Sequence, residues 1–413
     1  MSSSEAEEVD DFFGFGLFDG VLDEVESEEK VKTDKIATKK NVEKLMEHLG
    51  GFEYWPKLID DCKEVVAKFL DYKTVTKLGM CSKSDNELSK KIPIDVYSIT
   101  IQDNENYNYQ LENEEFENVL VKVQFHRDFN SGKRFEMVFS QLENNTQIRW
   151  MKYFQKKRPE KMCMVIENSN YYEEAVKYAE QWMERCQFKM KEITVEMSKY
   201  PLETSKIKFL PNCTRLRVGA DTLETFRWWI DKVPEELNDL EFITLNEDRE
   251  TFTLPSEFLS LPQVMNTKDL YFWARAGFTD EQFLKLKAKK ISFDAVNITD
   301  DGVNEFLKKW VNGKGIEGFK QVLLWSNRSV DQKLVMRGLQ VRPWDDDFER
   351  EAGGFCGDFE RVCGRGEAFQ ISSLVEPLES LTLSFSDDRI SIYATGRKFT
   401  WEGRTYTDYG IPL

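Results

Sequence analysis

Residues 55–84 read WPKLIDDCKEVVAKFLDYKTVTKLGMCSKS. The stretch is too short to be a domain and too apolar to be a linker. Pro56 suits the first turn of a helix, where its missing N–H would be unpaired in any case. Leu58, Cys62, Val65, Val66, Phe69 and Leu70 then recur at steps of three and four, which makes one apolar stripe on a helix. Asp61, Lys63, Glu64 and Lys68 fall mostly on the other faces. Asp71-Tyr72-Lys73 breaks the period. Thr74 is placed to cap a second short helix carrying Val75 and Leu78, and Gly79 to end it. A third helix is expected from about Ser84 to Lys91, with Leu88 inward. Three short helices in so few residues cannot build an independent core. The stripe must be covered, either by the rest of this chain or by another protein.

Upstream, residues 1 to about 40 are acidic first and lysine-rich later, a composition that predicts disorder. One island interrupts them, DDFFGFGLFDG from Asp10 to Gly20. Downstream of Pro93 the hydrophobic period changes from 3.6 towards 2. VYSITIQ, NVLVKVQFH and RFEMVFS alternate as strands, with a hairpin turn at Asn130-Ser131-Gly132-Lys133. TQIRWMKYF and MCMVIE add two more, and YYEEAVKYAEQWMERC from Tyr171 predicts an amphipathic helix. From about residue 189 strands and helices alternate. The strands are EITVEM, TRLRV, LEFITL, KDLYFWA, KKISFDAV and KQVLLW. The helices are ADTLETFRWWIDKV from Ala220, FTDEQFLKLK from Phe278 and ITDDGVNEFLKKWVNG from Ile298. In the last, Thr299 caps, Asp300 and Asp301 favour the positive end of the helix dipole, and Gly313 follows the end. Phe278-Thr279-Asp280-Glu281 and Ile298-Thr299-Asp300-Asp301 form a near repeat. Strand–helix units of this length predict an α+β or α/β body built as an irregular leucine-rich-repeat-like solenoid, with a doubly wound sheet as the rival. A glycine-rich segment around Gly353-Gly354 leads into the strands SLTLSF, RISIYAT and KFTWEG. The expected divisions are a tail at 1–45, a helical unit at 50–93, a β-rich region with a helix at 95–190, and an α/β region at 190–413.

Composition narrows the function. The chain has 413 residues and a formal net charge of -17, which disfavours nucleic acid or an anionic membrane as the main partner. No run of about eighteen apolar residues suggests a membrane span. The first residues carry no basic, apolar leader. Seven cysteines without zinc spacing, and only two histidines, predict reduced thiols, a cytoplasmic or nuclear location and no metal or cofactor. No phosphate-binding glycine loop and no nucleophile–base pair is visible, so no catalytic residue is assigned. Three features remain as weak chemical candidates: Cys356 and Cys363, with Arg361 and Arg365 nearby, and the carboxylate clusters at Asp300-Asp301 and Asp345-Asp346-Asp347. A hydrolase would have to use a site of another kind.

The segment from Trp55 to Lys91 resembles the F-box, the three-helix module that docks on a Skp-type adaptor of cullin–RING ubiquitin ligases. The carriers are the opening W-P-x-L, the striped helix, the hinge at Phe69 to Lys73, and V-x-x-L-x-x-C-S-K from Val75 to Lys83. The pattern is most similar to the nematode F-box families with a type 2 F-box-associated region, whose characteristic helix ITDDGVNEFLKKWVNG resembles. GGFCGDFERVCGRGEAFQI resembles that region's final motif. Two positions depart from the pattern: Ile59 where a proline is usual, and Asp85 where an aromatic residue is. The resemblance implies a non-catalytic substrate-recognition subunit. Trp55, Pro56, Leu58, Val65, Val66, Phe69, Leu70, Val75 and Leu78 would be shared between the helical core and the adaptor face. The α/β region would recruit a protein substrate, with Trp228, Trp229, Trp273 and Trp325 as candidate anchors. An interaction scaffold outside ubiquitination is the alternative. Separately, VDDFFGFGLFDG resembles the acidic tail of ribosomal stalk proteins. That implies a linear motif in which Phe12, Phe13, Phe15, Leu17 and Phe18 enter an apolar groove on a partner.

Overall fold

The computed structural model describes residues 55–70, 72–92, 94–103, 118–125, 134–151, 163–186, 190–245, 252–326, 328–345, 347–348, 367–376, 379–395, 397–401 and 404–408. The N-terminal aromatic island, the expected turn at 130–133 and the Cys356–Cys363 loop lie outside the described residues.

Among the described residues three short helices come first: α1 (Asp60–Ala67), α2 (Tyr72–Gly79) and α3 (Lys83–Lys91). Thr74 lies inside α2 and does not cap it, because the helix already starts at Tyr72. A mixed α/β body follows. Its strands are β1 (Ser98–Asp103), β2 (Asn118–Gln124), β3 (Arg134–Leu142), β4 (Asn145–Met151) and β5 (Cys163–Ile166), then helix α4 (Tyr171–Cys186) and β6 (Glu192–Glu196). Next come β7 (Arg215–Ala220), α5 (Leu223–Ile230), β8 (Asp239–Thr244), β9 (Thr253–Leu254), α6 (Ser256–Leu259), α7 (Pro262–Met265) and β10 (Asp269–Ala276). After these are α8 (Asp280–Phe283), β11 (Lys290–Ala295), α9 (Asp300–Val311), β12 (Gln321–Trp325) and α10 (Gln332–Val335). The chain closes with β13 (Val341–Pro343), β14 (Glu367–Ser372), β15 (Ser380–Ser386), β16 (Arg389–Thr395) and a separate hairpin, β17 (Arg397–Trp401) with β18 (Arg404–Asp408).

Among the described residues, all strands but that hairpin join one sixteen-stranded sheet. Strands β1 to β5 form an antiparallel meander. On the other side of β1 a parallel run continues through β6, β7, β8, β10, β11 and β12. From β6 to β12 the parallel run advances in one direction, whereas the sheet as a whole turns back at β1, where β6 pairs on the side away from β2. Strands β16, β15, β14 and β13 then extend the sheet antiparallel.

The period-2 alternation gives the sheet two unlike faces. One register row reads Ile99, Ile193, Leu216, Leu240, Leu270, Ile291 and Val322, and every member is buried. Helix side chains seal this face. Phe226 of α5 and Phe258 of α6 pack on Phe242 of β8, which stacks on Phe272 of β10. Helix α4 crosses the meander and sets Trp182 against Phe135. The opposite face is polar and charged.

Candidate functional site

The first candidate surface is on the three-helix unit. Ala67, Val75, Leu78, Leu88 and Ile92 form a small core separate from that of the body, and Trp55 and Leu70 pack against it. The helices lie close: a Cβ on Gly79 would stand 2.6 Å from Ser89 Oγ. Asp85 closes the unit. Its carboxylate accepts from Trp55 Nε1 at 2.7 Å and from Ser82 Oγ at 2.7 Å, while its own N–H donates to Ser82 Oγ at 3.0 Å. The departure at residue 85 is thus a buried first-turn carboxylate that holds the N-cap Ser82 and is tied to the opening tryptophan. Charge-assisted bonds of this kind serve there in place of aromatic packing.

The apolar stripe divides. Val75 and Leu78 are buried, and Leu70 and Trp55 belong to the same core. Leu58 and Val66 are half-buried. Pro56 is exposed, and Phe69 and Val65 stand out at 87% and 56% exposure. Ile59, at 67%, and Met80, at 48%, join them. Ile59 and Met80 were not legible as exposed apolar positions. Ile59 falls at the junction before α1, and Met80 lies just past the end of α2, so neither continues a helical period. Contrary to the expectation from its length, the unit builds a small core of its own, and it presents exposed large apolar side chains that this core does not need.

The second surface is the polar face of the sheet. It holds a shallow depression of about 680 Å³ lined by Gln102, Glu196, Arg217, Glu241 and Tyr271, among others. Neighbouring strands pair their charges across it. Arg217 reaches Glu196 at 2.5 Å and Glu241 at 3.0 Å, and Arg215 reaches Asp239 at 2.7 Å. Burial, and then the carboxylate of Asp239, holds Asp269 above the usual range. On this face two tryptophans emerge, on the interior strands β10 and β12. Trp273 is 53% exposed, with its indole N–H on Glu241 at 2.8 Å. Trp325 is 36% exposed under the Arg389 guanidinium, 4.8 Å from its ring. The other two candidate anchors are not free for a partner. Trp229 is fully buried, and half-buried Trp228 packs on Trp229, Tyr200 and Lys232.

The near repeat at Phe278 and Ile298 is a linked pair of helix caps. Thr279 forms a capping box with Gln282. Asp280, the next residue, accepts from Thr299 N at 2.8 Å and from Thr299 Oγ1 at 2.6 Å, so one helix start holds the cap of the next. FTDEQFLKLK forms only the four-residue helix α8, shorter than its pattern suggests. Asp300 takes Arg328 Nη2 at 2.7 Å and Asp331 N at 3.1 Å, and Asp301 takes Arg337 Nη2 at 2.7 Å. These carboxylates are structural struts and do not converge as an acid–base pair. Of the weak chemical candidates, Asp345 caps Phe348 N at 2.9 Å, and Asp346 lies outside the described residues.

A family model described as F-box associated matches residues 261–316, the segment from α7 to the turn after α9. An uncharacterized F-box protein of Caenorhabditis elegans is 43% identical over 391 residues, covering 95% of this chain and all of that protein. No solved structure matches significantly. The chain belongs to the F-box proteins, of the nematode type that carries an F-box-associated region.

Proposed function

We propose that the chain is the substrate-recognition subunit of a Skp–cullin–F-box ubiquitin ligase. Residues 50–93 dock the adaptor, and the body from residue 95 onward recruits a protein substrate. One observation carries the reading: Phe69, Val65, Ile59 and Met80 are exposed on a unit whose own core is complete without them. Covering each such side chain is worth roughly 1.5–3 kcal/mol before association costs. The subunit does no bond chemistry and acts by holding the substrate near a charged conjugating enzyme, in the cytoplasm or nucleus. The one-directional parallel run is read as an irregular solenoid, and Trp273 and Trp325 on its polar face are the substrate anchors.

The test is the dissociation constant of the purified chain with a Skp-type adaptor. Phe69→Asp and Val65→Asp are the informative variants, because both positions are exposed and neither substitution disturbs the core. Sub-micromolar binding weakened ~30-fold or more by Phe69→Asp is expected, the equivalent of about 2 kcal/mol. Absence of binding at tens of micromolar sinks the adaptor reading and leaves a non-catalytic scaffold.

A further inference from the structure

The island at Asp10–Gly20 has no part in the function proposed above. We infer that the exposed face of the three-helix unit has an occupant within the chain: the N-terminal segment around Phe12, Phe13, Phe15, Leu17 and Phe18 seats on Val65, Phe69, Ile59 and Met80. It there competes with the adaptor, a consequence that rests on the docking role proposed above, whereas the intramolecular contact does not.

Three observations converge. Four of the eleven exposed large hydrophobic residues among those described lie between Ile59 and Met80, so this unit concentrates uncovered apolar surface. Such patches mark interaction sites. The charges are complementary. Residues 1–29 carry eleven carboxylates and no lysine or arginine, whereas residues 55–91 carry eight lysines against six carboxylates. Lys57, Lys68, Lys77, Lys83 and Lys90 of the unit are exposed against Asp60, Asp61 and Glu87, with Lys68 and Lys90 paired to Glu64 and Glu87. An acidic segment with aromatic side chains therefore meets both the apolar centre and the charge of this unit. Finally, the connection is long enough. Thirty-six residues separate Phe18 from Trp55. A flexible chain of that length has an end-to-end distance of about 30–36 Å, more than twice the ~12 Å length of an eight-residue helix. Tethering at that length sets an effective concentration in the millimolar range. A segment with a dissociation constant of only ~0.1 mM would then cover the face about nine-tenths of the time and weaken adaptor binding about tenfold.

The experiment compares the full-length chain with a variant carrying Phe12→Ser, Phe13→Ser, Phe15→Ser and Phe18→Ser. Cys62 supplies a readout independent of any partner, because it is an exposed thiol on the same helix as Val65, and exposed Cys163 on β5 is the control. Maleimide labelling of Cys62 is expected to run about tenfold slower in the parent than in the variant, with the gap narrowing as salt rises and Cys163 unchanged. Equal Cys62 rates overturn the proposal. A rate in the parent that falls with protein concentration also overturns it, by assigning the segment to a second copy. Adaptor titration separates the two inferences. Tenfold tighter binding by the variant supports both. Equal, tight binding with equal Cys62 rates leaves the docking function standing without the tail contact. A Cys62 difference with no adaptor binding by either chain leaves the contact standing and removes the docking function.

Discussion

Gly302 offers the sharpest test of how the F-box-associated segment is built. It lies in the first turn of α9, and a Cβ there would stand 2.1 Å from Asp280 Oδ1 and 2.3 Å from Asp280 Cγ. No real contact is that short, so an alanine must expel the carboxylate. Expulsion breaks both bonds from Asp280 to Thr299, at 2.8 and 2.6 Å. Two charge-assisted bonds in a solvent-open position are worth roughly 2–3 kcal/mol together. Alanine in place of glycine inside a helix returns about 1 kcal/mol. Gly302→Ala should therefore destabilise the protein by about 1–2 kcal/mol, and Asp280→Ala by about 2–3 kcal/mol. In the double variant the clash has gone and only the helix gain remains. The double should then be no worse than Asp280→Ala alone, and better by up to ~1 kcal/mol. Urea unfolding followed by tryptophan fluorescence measures all three, and the cycle should show a coupling of about 2–3 kcal/mol. Additive effects, or a further loss from Gly302→Ala in the Asp280→Ala background, would refute the reasoning.

Three further expectations are open to direct measurement. Trp55→Phe removes the indole donor from buried Asp85 and should cost about 1–2 kcal/mol, seen as faster amide exchange in α3 with the body unaffected. Trp229→Ala empties a fully buried site and should cost about 3–5 kcal/mol. Trp273→Ala, at a half-exposed site on the polar face, should shift stability by no more than about 1 kcal/mol while weakening substrate capture, so thermal melts of the pair should differ clearly. Burial raises the thiol pKa of Cys186 and of Cys213 from 9.0 to about 12. Each folded thiol then keeps its proton where the unfolded one has lost it. This stabilisation is whole below pH 9 and is lost as pH rises towards 12, at about 1.4 kcal/mol per pH unit per thiol. Replacing both cysteines with alanine should flatten the alkaline limb of the stability profile, and an unchanged slope would count against buried, protonated thiols.

Legibility in the sequence followed how local each determinant is. The strand of Ile291 and Phe293 and the helix from Tyr171 to Cys186 each declare their period within a few residues, and both appear where the pattern puts them. The one-turn helices at Ser256 and Pro262 were missed, because four residues complete no amphipathic period. The sheet's order was not readable either, since β5 and β6 are neighbours in sequence yet separated by β1 to β4 in the sheet. On the helical unit, spacing found the stripe but could not divide it. Val66 and Phe69 share a period, yet one is half-buried and the other stands in solvent. What divides them is the closure of α2 and α3 over Ala67. Spacing shows Asp85 only as a departure from the aromatic pattern, because its partner Trp55 lies thirty residues away.

The same closure bears on how the two candidate surfaces cooperate. A recruiter that works by proximity gains most when its two faces keep a fixed separation, since a loose joint dilutes the effective concentration of the substrate at the conjugating enzyme. The chain leaves the helical core at Ile92 and enters the body's core at Ile94, so almost no linker intervenes. Arg185, on α4, fastens the junction by donating to the carbonyls of Ser89 and Ile92. Helix α4 is itself packed on β1, β2 and β3. Ser89 lies in the last turn of α3, where its carbonyl also accepts from Ile92 N, and Ile92 is the C-cap; a guanidinium is a favoured donor at this end of a helix. The helical unit is thereby seated on the sheet that carries the polar face, through a contact that satisfies the helix end and sets the geometry together.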